Sequence, residues 1–311
     1  MIQQIAQLLG MYALPIFIAF VVVVLALIFL FWRLFEAHYR RLWEWGSRIR
    51  HFITHLPPTQ WLRQRYPRIW SFLGRRLLPR EYLGLHLMLG LLIIVTMLNF
   101  FGEIADSVTE SEGIAHFDLA LANSMYQNVS ATAITIFRGI TWLGNPELIT
   151  VIVVMVGAML LAGRYWYLLA GWIIIPAGGG LLNTTLKAIF QRNRPELPNP
   201  FVVEMSWSFP SGHAMGSLIT YGMLAYVLVV FLERRWDRPV IAATVTLVLL
   251  IGFSRMYLGV HYFSDVVAGY AAGTAWLTTG ITGIETARRY RSHRRSLKPV
   301  IPRNSQYYHS R

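Results

Sequence analysis

"FPSGHAMGSLITYGMLAYVLVVF" (Phe209–Phe231) opens on proline, serine, glycine and histidine and then runs from 213 to 231 without one charged side chain. Such a run approaches the ~20 residues needed to cross a bilayer as a helix. Pro210 and Ser211 sit where a helix starts, a placement that suits both residue types. A histidine at that mouth reads either as part of the cap or as chemistry, and its neighbours decide between them.

The chain holds further apolar runs of the same kind. Seven spans are expected, over 11–32, 82–101, 148–163, 167–186, 213–231, 240–257 and 264–284. With 55% of residues hydrophobic and 14% charged, the fold class is an all-α, polytopic membrane helix bundle. The first run lacks a positive leader and a small-residue cleavage site, so it reads as a retained span and not as a signal peptide. The chain has no cysteine, which excludes disulfides, thiolate metal sites and cysteinyl-phosphate chemistry.

A net charge of +13 suggests nucleic acid, but the distribution of the charge argues otherwise. Eleven arginines fall between Arg33 and Arg80, and eight Lys/Arg in the tail from Arg288 to Arg311. Arg164 follows the third span, and Arg234, Arg235 and Arg238 follow the fifth. If spans alternate, 23 of the 28 basic residues lie on one side, which the positive-inside rule makes cytoplasmic. The N-terminus is then outside and the C-terminus inside. Attraction to anionic membrane lipids is a secondary consequence, and no nucleic-acid partner is expected.

Within the arginine-rich linker, Phe35, Leu42, Trp45, Ile49, Phe52 and Leu56 recur at helical spacing, which predicts an amphipathic helix lying on the inner leaflet. "HLPP" (His55–Pro58) ends it. The outside segment 102–147 predicts short surface helices. In the seventh span Gly269 and Gly273 form a GxxxG pair suited to close helix packing.

Five basic residues are left outside: Arg138, Lys187, Arg192, Arg194 and Arg255. Lys187 and Arg194 end the fourth span in "KAIFQRNRP", and Arg255 ends the sixth in "SRMYLGVHYFSD", which also holds Ser254, His261 and Asp265. With Pro210, Ser211, Gly212 and His213 these make three polar clusters at one membrane face. Taken alone, Ser211 reads as a cap, Ser254 as an ordinary polar group and Arg192 as a snorkelling span-end cation. Ionisable residues at span ends on the disfavoured side call for a common explanation, and together they suit an anion. Guanidinium forks match phosphate oxygens. Ser211, the backbone N–H groups near Gly212 and the start of the fifth span add donors, and a residue without Cβ lets an anion approach. Asp265, four residues beyond His261, can hold one ring nitrogen and leave the other free as a nucleophile. His213 remains as a general acid.

At these residues the chain resembles the type 2 phosphatidic acid phosphatase family, integral-membrane lipid phosphate phosphatases related to vanadium haloperoxidases. The family pattern K-x6-RP, PSGH, SR-x5-H-x3-D is filled by Lys187, Arg194 and Pro195, by Pro210 to His213, and by Ser254, Arg255, His261 and Asp265. The resemblance implies that Lys187, Arg194, Ser211, Gly212 and Arg255 hold the phosphate and that His261 becomes phosphorylated. It further implies His213 as the acid, Asp265 as the orienting carboxylate, and neither a metal nor another cofactor. It covers residues 82–285, a six-helix phosphatase core. Residues 1–81 are then an extra N-terminal transmembrane helix with a basic amphipathic linker, and 286–311 a basic cytoplasmic tail.

The expected activity is removal of a terminal phosphate from a lipid at the outer face of a bacterial-type inner membrane, by hydrolysis. Transfer of the phosphoryl group to a second lipid is the same-site alternative. A serine protease dyad of Ser211 with a histidine would leave the three cations without a role. An anion transporter would not need His261, and a zinc site of His213, His261 and Asp265 would stand among repelling cations.

Overall fold

The computed structural model describes residues 2–67, 83–110, 113–198, 201–202 and 204–296, and among these every regular element is a helix. In chain order they are α1 (Ile2–Met11), α2 (Ala13–His55), α3 (Pro57–Arg65), α4 (Leu83–Thr109), α5 (Ile114–Gln127) and α6 (Ala131–Trp142). There follow α7 (Pro146–Ala162), α8 (Trp166–Phe190), α9 (Gly212–Phe231), a 3₁₀ turn (Arg234–Trp236), α10 (Asp237–Tyr257) and α11 (Phe263–Ser296).

Each of the seven expected spans falls on a helix over its described residues. Among the described residues, six helical stretches are long and apolar enough to cross a membrane: Ala13–His38, Leu87–Thr109, Ala131–Ala162, Trp166–Phe190, Gly212–Phe231 and Arg234–Tyr257. The protein is thus a multi-pass membrane protein. The seventh expected span, in α11, is long but less apolar. Its small residues Ala268, Ala271, Ala272 and Ala275 are buried, and the helix packs on α4, α8 and α9.

α9 is the central helix, packed on α7, α8, α10 and α11. Its Met215, Ile219 and Met223 join Trp172 and Ile175 of α8 and Ala272 of α11 in one core. The GxxxG pair of α11 meets α9 directly. A Cβ at Gly269 would lie 2.8 Å from the Ser211 carbonyl oxygen, and one at Gly273 3.3 Å from that of Met215. Backbone cannot yield as a side chain can, so the close approach requires glycine. It also brings the start of α9 against the first turns of α11, where the polar clusters lie.

The linker departs from expectation. In place of a separate helix on the leaflet, the segment after Trp32 continues the first span as one 43-residue helix, α2. Nothing between Trp32 and His55 breaks it, since Gly46 and Ser47 only weaken a helix. The break falls at Leu56, before the proline pair, as "HLPP" predicts. The rest of the linker (68–82) and the tail beyond 296 lie outside the described residues. Glu36 of α2 pairs with Arg238, whose guanidinium lies 5.6 Å over the Trp32 ring. Arg238 and Arg255 are at opposite ends of α10, roughly 25 Å apart along its axis. Trp32, Glu36 and Arg238 therefore mark the end of the bundle opposite the three clusters.

Between α4 and α7, α5 and α6 are the short helices expected there, and α6 opens the apolar stretch Ala131–Ala162 that continues into α7. Ser130 caps α6, accepting from the Ala133 N–H at 3.2 Å.

Gly269→Leu is expected to destabilise the fold by ~1–3 kcal/mol or more through overpacking against backbone. Thermal unfolding in detergent checks this. A melting temperature equal to the wild type's would mean that α9 and α11 do not approach closely there.

Candidate active site

The motif residues converge because a turn folds the α10–α11 corner back on itself. Gly259 adopts φ +71, a left-handed conformation that suits glycine, and the Val260 and His261 N–H groups donate to the Arg255 carbonyl at 3.1 and 3.3 Å. Arg255, at the end of α10, and His261 are thereby held together. His261 is not part of α11, which starts at Phe263. The four-residue spacing to Asp265 is closed by a cap and not by a helical turn. Asp265, third in the helix, reaches back to accept the Tyr262 N–H at 2.8 Å, as in a capping box.

His261 is buried, 2% exposed. Its Nδ1 lies 3.3 Å from Asp265 Oδ2 and 3.4 Å from Ser208 Oγ, while Nε2 lies 3.3 Å from Arg194 Nη1. With Nδ1 facing the carboxylate, that nitrogen carries the proton and Nε2 presents its lone pair among the cations. Burial pushes the imidazole down to about 3, against the pull of the Asp265 carboxylate toward the charged form. The ring is neutral.

The cations surround that nitrogen. Arg194 donates to the Ser206 carbonyl at 2.7 Å and the Val260 carbonyl at 2.6 Å. Lys187 donates to the Trp207 carbonyl and, at 3.4 Å, to Ser206 Oγ. Arg255, 1% exposed, donates to Thr141 Oγ1 at 2.8 Å and pairs with Glu204, which also lies 3.7 Å from Arg194. Burial alone would raise the Glu204 carboxyl, but the guanidiniums of Arg255 and Arg194 outweigh it and hold the group below its ordinary range. Oxygens of the Glu204–Trp207 segment thus hold the positions in which anion oxygens would bind these three cations. Arg255 Nε is buried with no partner among the described residues, a donor that an additional acceptor would satisfy.

Ser211 caps α9, its Oγ 3.5 Å from the Ala214 N–H, and its own N–H donates to the Asp265 carbonyl at 2.9 Å. Gly212 is the first residue of α9, beside Lys187 and Asn183. His213, in the first turn, lies within electrostatic reach of Arg255, His261, Arg194 and Lys187, with Nε2 2.8 Å from Asn145 Oδ1. Every motif residue predicted from sequence therefore lies in this cluster, except that Ser254 turns away to the Ile251 carbonyl at 2.5 Å. Arg138 is elsewhere, donating to the Phe201 carbonyl at 2.7 Å.

Several site residues escaped sequence reasoning. Arg192 bonds Asp265 Oδ1 at 2.6 Å and Asp118 Oδ2 at 2.9 Å, so it does not snorkel. Asp118, the sole acidic residue of the otherwise apolar and polar-neutral α5, was the available signal. Ser208, Glu204, Asn145 and Thr141 are common residues in connections and helix ends, where nothing in their spacing marks them.

A membrane bundle with three cations, a His–Asp pair and a second histidine at one end has the make-up of an integral-membrane phosphatase. Comparison with known proteins identifies the family. Residues 164–289 match the PAP2 superfamily. The chain is 37% identical to phosphatidylglycerophosphatase B of Bacillus subtilis (strain 168) over 142 residues, 44% of this chain and 68% of that protein. It aligns with the crystal structure of the first transmembrane PAP2 type phosphatidylglycerolphosphate phosphatase from Bacillus subtilis at a TM-score of 0.57 and 27% identity, covering 67% of this chain and 98% of the other. The crystal structure of Aquifex aeolicus LpxE aligns at a TM-score of 0.41 and 23% identity, over 55% of this chain and 94% of that one. The chain belongs to the PAP2 superfamily and is a phosphatase of lipid phosphates.

The neutral His261 ring links stability to pH. An unfolded imidazole takes up a proton below ~6.5 while the folded one does not until about 3, so stability is lost as pH falls through that window. His261→Gln removes this linkage. Its melting temperature in detergent is expected to drop less than the wild type's between about pH 7 and about pH 5. Equal drops would contradict a buried neutral ring.

Proposed function

We propose that the protein hydrolyses the terminal phosphate of a lipid phosphate at the outer face of a bacterial inner membrane, through a phosphohistidine on His261. The observation that carries this reading is the His261 ring itself: Nδ1 at 3.3 Å from Asp265, and Nε2 turned to Arg194 in a nest of cations. Lys187, Arg194 and Arg255 bind the phosphate oxygens, replacing the oxygens of Glu204, Ser206 and Trp207. Ser211, Gly212 and the N-terminus of α9 add donors. Nε2 attacks phosphorus and the bond to the lipid oxygen breaks. The leaving oxygen takes a proton from His213, which Asn145 orients. Water then attacks the phosphohistidine, giving up a proton to His213, and releases inorganic phosphate with the imidazole restored. No metal or cofactor enters these steps.

Phosphatidylglycerophosphate is the first substrate to test, supported by the name of the 37% identical Bacillus relative. Undecaprenyl diphosphate, phosphatidic acid and lipid A phosphates share the required group. The outward orientation is supported by the basic residues, 23 of which the positive-inside rule assigns to the opposite side. The same orientation supports the three-part division of the chain at 82–285, with the N-terminal helix and linker before it and a cytoplasmic tail after it.

Phosphate release from a panel of these lipids tests the reading. The wild type is expected to release phosphate from at least one, His261→Ala from none, and His213→Ala to lose ~10²–10⁴-fold in kcat with less effect on binding. Ser211→Ala is expected to retain activity, as a phosphate donor would and a nucleophile would not. No release from any lipid by the wild type, or undiminished release by His261→Ala, would overturn it. A doubly modified lipid in place of free phosphate would indicate transfer instead of hydrolysis.

A further inference from the structure

We infer that Asp118 and Arg192 are positioning residues for the reaction, holding the Asp265 carboxylate in the orientation that fixes the His261 ring. The inference rests on His261 being the nucleophile.

Asp265 is fully buried and its two oxygens are served differently. Oδ2 accepts from Ser208 Oγ, from the Tyr262 N–H at 2.8 Å and, at 3.3 Å, from His261. Oδ1 accepts from Arg192 Nη1 at 2.6 Å. The contact to the imidazole is the longest of these, so the other donors set the plane of the carboxylate and the imidazole follows it. Without Arg192, Oδ1 would keep no side-chain donor among the described residues although Asp265 is fully buried, and the carboxylate would turn or take up a proton. Either change releases Nδ1–H and with it the direction of Nε2.

Arg192 is itself fixed on all sides. Nη2 meets Asp118 Oδ2 at 2.9 Å, Nη1 also donates to Ser264 Oγ at 2.7 Å, and the guanidinium lies 4.4 Å over the Tyr262 ring. Its side chain is 13% exposed and that of Asp118 is fully buried. Asp118 in turn accepts from the Ser264 hydroxyl and, at 3.1 Å, from the Ser264 N–H. One guanidinium thus bridges two carboxylates from different helices, α5 and α11, a task a point-charge ammonium does poorly. Its Nη1 and Nη2 donors serve that bridge, which sets Arg192 apart from Lys187, Arg194 and Arg255 around Nε2.

The bridge also gives the N-terminal segment a place. Helix α5 is braced by α1: Ser124 Oγ donates to the Gln7 carbonyl at 2.7 Å, and Ala6 is buried in one cluster with Leu121 and Met125. Support runs from α1 through α5 and Asp118 to Arg192, Asp265 and His261.

The test is steady-state kinetics of the full-length protein in detergent, on the panel lipid it turns over fastest, with inorganic phosphate as competitive inhibitor. Arg192→Gln is expected to lower kcat on the order of 10–100-fold, while KM and the phosphate inhibition constant change by less than about threefold. Arg192→Lys recovers part of the loss. Asp118→Asn shows a smaller loss with the same split, and the double variant is no worse than Arg192→Gln alone, because both act through one carboxylate. An unchanged kcat in Arg192→Gln overturns the inference. So does a raised KM and phosphate inhibition constant with kcat kept, which would put Arg192 on the phosphate. Losses that multiply in the double variant overturn it as well. Should Arg192→Gln not fold, Arg192→Lys and Asp118→Asn carry the same readout. His261→Ala in the same assay separates the two levels: activity there removes the nucleophile, whereas its loss beside a normal Arg192→Gln removes only the positioning role.

Discussion

A carboxylate taken fully out of water at the mouth of a membrane helix must have its oxygens filled by donors, and Asp265 is that carboxylate. Among the described residues its donors come from the connection between α8 and α9 (Arg192, Ser208) and from the corner before α11 (His261, Tyr262). Its own carbonyl accepts from the Ser211 N–H at the start of α9. Meeting these demands fixes three segments far apart in sequence at one point. The close approach of α11 to α9 at Gly269, one turn further on, makes the arrangement sterically feasible.

Around this point three cations are packed where a membrane protein would ordinarily avoid them. Their mutual repulsion and partial burial are offset by oxygens: the Glu204 carboxylate, the carbonyls of Ser206, Trp207 and Val260, and Thr141 Oγ1. The buried Nε of Arg255, which has no partner among the described residues, marks where this compensation is incomplete. A phosphate brings several acceptors at once and more charge than a single carboxylate, so the same cations that tolerate the protein's oxygens suit the substrate better. The neutral imidazole in their midst is the one nitrogen base that adds no further charge.

Much of this was legible without coordinates. Apolar run length located the spans, and span-end arginines on the disfavoured side located the chemistry, because bilayer burial and charge placement are one-dimensional constraints read directly along a chain. "KAIFQRNRP", "PSGH" and "SRMYLGVHYFSD" carried the donors, the helix start and the His–Asp spacing. The amphipathic linker was legible as a helix, but not as a continuation of α2, since periodicity does not reveal where a helix bends or runs straight on.

What the sequence by itself determined was a bundle of membrane helices, its polarity, and the residue types of an anion site with a histidine to act on it. Tertiary structure alone decided which of those residues touch. Arg192 looked like a span-end cation and is the bridge between Asp118 and Asp265. Ser254 looked like part of the motif and points to its own helix. Glu204, Ser208 and Asn145 carried no signal at all. The reason is physical: hydropathy and helical period act on neighbours along the chain, whereas filling the valences of a buried carboxylate and three buried cations draws on whatever side chain the packing of α5, α9, α10 and α11 brings within about 3 Å.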